Sequence, residues 1–578
     1  MSDRLFPCVA GGPVSQALLA QLASTIVSDF TAWKAARSPL EARWRECWQA
    51  YLCNAQSLTT ESEDRNADRS RIVRPLLYEA VEAIQANLMN AMFPSDERFF
   101  SVVGKTEGDH RNAQIIEAFL LQKLQSMGFS EKFAMFLKQA IIIGSSAAAA
   151  PWRRESRQRK TYRPVELFGV SVGMEKTLET QLIYNGPDFE TLDMMDFLID
   201  PDEPDFEKAT VIRRIERSLD ALRRNPAYCN LEGLESHPQE EDDSDKSARR
   251  TAFGIQPAAL RQSSHRQNKV TLLEAWGDFR AGDRLFENHV CVIANGDRVI
   301  RFEPNPYDHG LKPFIFTNFI PTPNEAYGIG AIEKSLGLQH AVNTLTNQKL
   351  DVINISINNP FTYLINDDVF DPDTIVTRPG ALIPVKSHET LRPLTYLNNF
   401  TVAFNEIADL RNEIQEATGA LKFFTGGDAS LNPRTATEVS ALVSGGAQKF
   451  NTFVSHLENT TLEPFLRMAF ENAKQFLVDS ETLRITRNDG SLEFRRILPE
   501  LLQRAQCDFR IDGAQAAVTR GQEIEAMMLF ARLTQDLPQI RERLNLLPLL
   551  RKIYRRLGFK DEEQVFISTQ ENDDAPAA

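Results

Sequence analysis

Along the first third of the chain, apolar residues recur every three or four positions, the spacing of one buried face on an α-helix. Ser38-Pro39-Leu40-Glu41 is a capping box with proline at the first helical position, where its missing N–H costs nothing. The spacing therefore predicts a helix from Ser38 carrying Trp44, Trp48 and Tyr51/Leu52. A polar, charge-rich loop follows at 59–71. Pro75 opens a second helix with Leu77, Val81, Ile84 and Leu88 on one face, ending at Phe93-Pro94. Ser130 begins a third, with Phe133, Phe136, Leu137, Ala140 and Ile141. Stripes of this kind predict core packing.

The middle of the chain changes period. Residues 160–172 and 181–192 alternate apolar and polar positions, which predicts strands. Residues 270–279, 284–294 and 298–302 predict a meander, its last connection made by Asn295-Gly296, the dipeptide best suited to positive φ in a tight hairpin. Between the two β regions, 234–268 holds EEDDSD and few apolar residues, and reads as a mobile acidic surface insertion. It lacks the spaced ligands and the glycine of a calcium loop.

From Ala331 the pattern is helical to about Asn358, irregular or β to about Asn398, and helical again from Val402 to Phe424. Ile407, Leu410, Ile414, Ala417, Leu421 and Phe424 alternate intervals of three and four, the seam of a helix packed along another helix. Between these helices lies a compact module with five prolines. After them comes a glycine-rich break at 425–433, then Thr435-x-x-Glu438, a second capping box opening a long helix that Pro464 is expected to kink. Strand-like residues at 482–494 and 507–511, a helical stretch at 521–557 and a polar tail complete a mixed α+β, predominantly α-helical chain without a visible internal repeat.

Composition narrows the function. The length of 578 residues suggests about four domains. Lys and Arg number 65 against 79 Asp and Glu, a net charge of −14, which argues against a protein that grips nucleic acid through many phosphate contacts. Six scattered cysteines without a C-x-x-C pair suit a reducing compartment. The N-terminal residues do not form a secretory signal, and the longest apolar stretch, 140–152, is too short to span a bilayer. There is no P-loop, no H-E-x-x-H, no G-x-S-x-G, and Gly328-Ile329-Gly330 is only a fragment of a dinucleotide fingerprint. Asp200, Asp202, Glu203 and Asp205 form the tightest carboxylate group outside the insertion. Two prolines and the lack of a nearby basic or histidine partner favour a structural turn there over a metal or acid–base site. Neither an enzyme nor a cofactor is expected.

Several segments carry a resemblance through their order. NLMNAMFPSDERFFSV at 87–102 reads as a helix ending in a Phe-Pro turn and a strand, and QAIIIGSSAAA at 139–149 as a helix end of small residues. Pro321 with Tyr327-Gly328-Ile329-Gly330 precedes a long helix. Asn359-Pro360 and Arg378-Pro379-Gly380 fall in the proline-rich module. Thr435-x-x-Glu438 and Arg520-Gly521-Gln522 each open a later helical part. Each alone is a turn or a cap; their collinearity from residue 87 to residue 522 resembles the portal proteins, or head-to-tail connectors, of short-tailed bacteriophages.

The resemblance implies a homo-oligomeric ring, typically a dodecamer, at one capsid vertex of the virion, assembled in the host bacterial cytoplasm. Double-stranded DNA passes its axial channel during packaging and ejection. The implied regions are an N-terminal wing at 1–329, a first stem helix at 330–358, a clip at 359–398 and a second stem helix at 399–424. A tunnel loop at 425–434 follows, then a long wing helix with β segments at 435–515, and a crown with the polar tail at 516–578. The clip, with Asn359, Pro360, Arg378, Pro379 and Lys386, is implied to dock the terminase motor and later the tail adaptor and tail proteins, while the major capsid protein surrounds the ring. Thr425, Gly426, Gly427, Asp428 and Asn432 are implied to form the channel-facing tunnel loop, flanked by Lys422 and Arg434 as cations that centre or brake the duplex. The same glycine-rich composition also suits an ordinary interhelical turn. No membrane partner is implied. Two other readings stay open at this level: another virion component, such as a tail adaptor or internal ejection protein, and a metal-dependent enzyme built on Asp200 to Asp205.

Overall fold

A proline inside a helix removes one backbone hydrogen bond and crowds the preceding turn. Yet Gln16–Tyr51 form one unbroken helix, α1, with Pro39 in its interior. The expected start at Ser38 is thus corrected, and burial explains why. The first half of α1 packs Leu19, Leu22, Ala23 and Ile26 onto a β-sheet, and the second half buries Trp44, Cys47 and Ala50 in a helical core. Those two contacts outweigh the single lost bond. Glu41 does not cap; it turns inward onto Arg37. The computed structural model describes residues 16–53, 70–93, 99–167, 170–236, 268–357, 361–363, 391–393, 400–418, 452–486 and 492–511.

Helix α2 (Leu76–Met92) follows Pro75 and buries Leu77, Val81, Ile84 and Leu88, as the periodicity predicts. Strand β1 (Phe100–Gly104) leads to α3 (Glu107–Ser126), a helix not among the elements expected above. Its start is marked by Thr106, whose hydroxyl accepts from the Asp109 N–H at 3.2 Å. Helix α4 (Phe129–Ile143) begins one residue before Ser130 and buries Phe133, Phe136, Leu137, Ala140 and Ile141. The small residues after it are not a helix end. Ser145–Ala149 form strand β2, fully buried between two others, because serine and alanine let flanking segments close over both faces.

Strands β3 (Trp152–Leu167) and β4 (Val170–Pro187) make a long antiparallel ribbon. Then come β5 (Glu190–Leu192), β6 (Phe197–Ile199), β7 (Val211–Ser218) and the short α5 (Leu219–Arg224). The expected meander is present as β8 (Lys269–Ala281), β9 (Arg284–Ala294) and β10 (Arg298–Pro304). Its Asn295-Gly296 turn has φ of 52° and 81°. These strands form a five-stranded sheet ordered β10-β9-β8-β7-β6, whose Ile212, Leu273, Phe279, Ile293 and Phe302 receive the first half of α1. Of the acidic insertion at 234–268, residues 237–267 lie outside the described residues, while Leu234 is buried.

β11 (Phe314–Asn318) completes a sheet ordered β11-β2-β5. Helix α6 (Leu336–Ile357), the two-strand ladder β12 (Phe361–Tyr363) with β13 (Leu391–Pro393), and α7 (Phe400–Thr418) follow. Residues 452–457 are helical and pass through a π turn at Glu458–Leu462 into α8 (Glu463–Phe476). The wide turn lies where Pro464 lacks its N–H, so the expected kink takes this form. β14 (Glu481–Thr486), β15 (Leu492–Ile497), α9 (Pro499–Arg504) and β16 (Cys507–Ile511) close the described chain. β16 pairs with β1, tying the latter part of the chain to the first helices.

Candidate functional site

Helices α6 and α7 pack along one another as the three-four seam predicts. Ile407 and Ile414 are buried and Leu410 half-buried, but Ala417 is exposed and Thr418 takes the inward position. A straight helix drifts from a strict heptad, and over these residues that drift carries position 417 off the seam. At the outer end, the Lys349 ammonium sits 3.5 Å from the Phe404 ring centroid, linking the two helices by a cation–π contact. The implied first stem helix began at 330. Regular α-helix begins only at Leu336, after a 3₁₀ turn at Glu333–Ser335, because residues 328–331 are held elsewhere.

That hold is a crossing of two backbones. Gly144 lies against Gly328 and Gly330: a Cβ on Gly144 would stand 2.5 Å from the Gly328 carbonyl oxygen, and one on Gly330 2.5 Å from that of Ile142. The Phe319 N–H donates to the Gly144 carbonyl at 2.8 Å and the Ala331 N–H to that of Ile141 at 2.9 Å. Gly328-Ile329-Gly330 is therefore a packing motif between α4, β11 and the entry to α6. Beside it, Arg37 is the hub of a buried polar cluster. It donates to Glu41 at 2.8 Å, to the Phe197 carbonyl at 2.6 Å and to the Tyr327 hydroxyl at 3.1 Å. Burial works against its charge, but Tyr327 and Glu41 more than compensate, and its pKa is raised above the usual value.

The inner face of α6 is polar, which hydrophobic patterning could not reveal. Gln339, Asn343, Asn347 and Asp351 stand four residues apart and meet the backbone of an extended segment at 70–74. Asp351 accepts from the Ser70 N–H at 2.7 Å, Asn347 from Ile72 at 2.8 Å and Asn343 from Arg74 at 3.1 Å, while Gln339 donates to the Arg74 carbonyl at 2.8 Å. Four helical residues rise about 6 Å and two extended residues about 6.6 Å, so each rung finds the next backbone group. Replacing Asn343 with leucine is expected to strand the half-buried Arg74 N–H. The cost is about 1–3 kcal/mol, read by chemical denaturation, with faster hydrogen exchange confined to 70–74.

The outer surface of α7 has a different character. Glu406, Asp409, Glu413 and Glu416 are all exposed and, at 3.6 residues per turn, fall within roughly 80° of the helix circumference. Arg411 is the only lysine or arginine on this helix. The α6–α7 hairpin thus carries an acidic stripe along one side of α7 and an apolar seam toward α6.

A family model described as the phage SU10 portal protein matches residues 170–578, more than two-thirds of the chain. The chain belongs to the phage SU10 portal protein family. The resemblance to portal proteins of short-tailed phages is thereby borne out. The matched part takes in the α6–α7 hairpin, strand β4 of the ribbon and the five-stranded sheet. Residues before 170 share one hydrophobic core with it, in which Phe129 stacks on Phe465 with centroids 4.8 Å apart.

The portal-protein positions implied for the tunnel loop, Lys422, Thr425, Gly426, Gly427, Asp428, Asn432 and Arg434, lie outside the described residues, as does the Thr435-x-x-Glu438 box. So do the clip positions Asn359, Pro360, Arg378, Pro379 and Lys386, and the stretch from 512 to the end. Of residues 359–398 the described ones form the β12–β13 ladder, where Phe361 pairs with Pro393 and Tyr363 with Leu391.

The carboxylates at 200–205 form a turn in this portal protein. Asp200 accepts from the Asp202 N–H, Glu203 from Asp205, and Asp205 from Glu207, each within 3.1 Å. The basic partners that the local sequence did not offer are present. Lys208 pairs with Asp205 at 2.9 Å, lowering its pKa, and the Lys312 ammonium donates to the carbonyls of Phe206, Glu207 and Ala209. Among the described residues, no three His, Cys, Asp or Glu are grouped to hold a metal. Burial pushes the thiols of Cys47 and Cys291 up to about 12 and that of Cys507 to about 11, so these stay protonated at neutral pH. Among the described residues no helix is long and apolar enough to cross a membrane.

Proposed function

We propose that this protein forms the ring-shaped channel at one capsid vertex through which double-stranded DNA is packaged and ejected, docking the terminase motor first and the tail afterwards. The family match over 170–578 carries the proposal. In this reading α6 and α7 are the stem, the β12–β13 ladder is the base of the clip, residues 425–434 are the tunnel loop, and the sheets and remaining helices are the wing. The role is structural, with no catalysis.

The acidic stripe gives this reading a physical mechanism. DNA that must slide cannot be held by many cation–phosphate contacts, each of which releases counterions and strengthens binding. A stem lining the channel with Glu406, Asp409, Glu413 and Glu416 would present like charge to the phosphates. The duplex would then be repelled toward the axis, with a few cations such as Lys422 and Arg434 left to centre it.

The test has two parts. Twelve copies of the 65.3 kDa chain come to about 780 kDa, and native mass measurement with imaging of the purified protein should find a ring of about that size with a central hole. A stable monomer under assembly conditions overturns the reading in favour of another virion component. Rings carrying Glu406→Lys, Asp409→Lys and Glu413→Lys should still assemble. They are expected to retain duplex DNA in a salt-sensitive manner and to cut packaged DNA by on the order of tenfold. Unchanged packaging would remove the stripe from the channel wall.

A further inference from the structure

In the channel reading the β3–β4 ribbon belongs to the wing and has no contact of its own assigned, and its composition differs from the rest of the chain. Beyond Trp152 and Tyr184 at its base, all its described side chains are exposed except Glu155, Thr161, Thr177 and Glu179, which are half-buried. An isolated two-stranded ribbon is marginal in water, and its unpaired edges invite another surface.

Register separates its two faces. On one, Arg157 pairs with Glu155 at 2.8 Å, Arg159 donates to Gln181 at 3.3 Å and Thr161 to Glu179 at 3.2 Å, so the face is closed on itself. On the other, Tyr162 stands opposite Lys176, Lys160 opposite Leu178 and Ser156 opposite Leu182. Tyr162 and Leu178 are each 59% exposed and Leu182 is 40% exposed. This face is apolar and cationic together.

Charge selects the partner. Residues 152–187 hold seven Lys and Arg against four Glu, a net +3, which leaves −17 for the rest of the chain. A nucleic acid would also attract cations. However, among its described side chains the second face offers two lysines, and its leucines have no apolar surface to bury against on a phosphate backbone. An acidic protein surface satisfies both kinds of group, and a head-to-tail ring places two different patches of the same chain against each other.

We propose that the ribbon is an intersubunit arm, whose Tyr162, Leu178 and Leu182 face, with Lys160 and Lys176, docks on the acidic surface of a second copy of this chain. The inference rests on the ring reading above. It is tested on the full-length chain by native mass measurement across a dilution series, for the wild type and for Lys160→Glu/Lys176→Glu/Leu178→Ser. Circular-dichroism melts confirm that these exposed changes leave the fold intact. In parallel, a photo-crosslinking residue at position 178 is activated in wild-type rings with and without duplex DNA.

The triple variant should dissociate at a concentration on the order of tenfold higher than wild type, and the crosslinker should yield covalent chain dimers whether or not DNA is present. Wild-type rings with equally stable variant rings overturn the arm and leave the ring reading standing. Crosslinking to DNA in place of a second chain likewise overturns it. Wild-type monomers at every concentration overturn both.

Discussion

Gly144→Ala is expected to lower stability by roughly 2–6 kcal/mol, enough to prevent recovery of soluble, folded protein. Two independent penalties meet at this residue. Its φ of +89° belongs to the left-handed region that a side chain disfavours, and its Cβ would lie 2.5 Å from backbone atoms of Gly328 and Ile329. Backbone does not move aside as a side-chain tip does. Relief would have to break the bonds from Phe319 N–H to the Gly144 carbonyl and from Gly328 N–H to the Ser145 hydroxyl, at 2.8 and 2.9 Å. Gly337→Ala is the control: that glycine lies in α6 with open space around its Cα, and alanine there should raise stability by up to about 1 kcal/mol. Thermal melts of the two variants, with soluble yield as a second readout, decide the matter. If both melt like the wild type, the crossing is not the tight joint described.

The second large effect concerns Arg37. Arg37→Met should cost about 3–5 kcal/mol, because Glu41 would remain buried without its partner, and the carbonyls of Phe197 and Met195 would lose their donor. The guanidinium also lies over the rings of Trp44 and Tyr327, at 5.2 and 5.5 Å from their centroids, so the same change removes packing between α1 and the entry to α6. Arg37→Met combined with Glu41→Leu should recover a large part of the loss, since an apolar pair of similar volume leaves no orphaned charge. Denaturant titration of the wild type, both single variants and the double variant gives the coupling directly. A double variant no better than Arg37→Met would show that the cluster acts through the backbone carbonyls and not through the ion pair.

Legibility followed the range of the signal. Elements with a repeating buried face are legible from it: α2 from Leu77, Val81, Ile84 and Leu88, α4 from its phenylalanines, the β8–β10 meander from alternation and its Asn-Gly turn, and most of the α7 seam. The full length of α1 is not. α1 passes through Pro39 because it is clamped by a sheet at one end and helices at the other. α3, not among the elements expected above, does carry a local signal: Ala113, Ile116, Leu120 and Leu124 stand at helical intervals of three and four. The candidate site divides in the same way. Its acidic stripe was present in the sequence as the complement of the apolar seam, whereas the Gln339 to Asp351 ladder has no apolar signature at all.

What the sequence determined alone is therefore local and collinear: the order of most helices, strands and turns, the acidic balance, and through that order the portal resemblance. Each rests on periodicity, capping or turn chemistry within a few residues. What only the tertiary structure decided is where distant segments touch. It placed Gly144 against Gly328 and Gly330, Arg37 beneath Tyr327, and the 70–74 segment along α6. Those contacts join residues far apart in the chain, and their free energy comes from steric fit and from satisfying buried polar groups, neither of which leaves a repeat for periodicity to register.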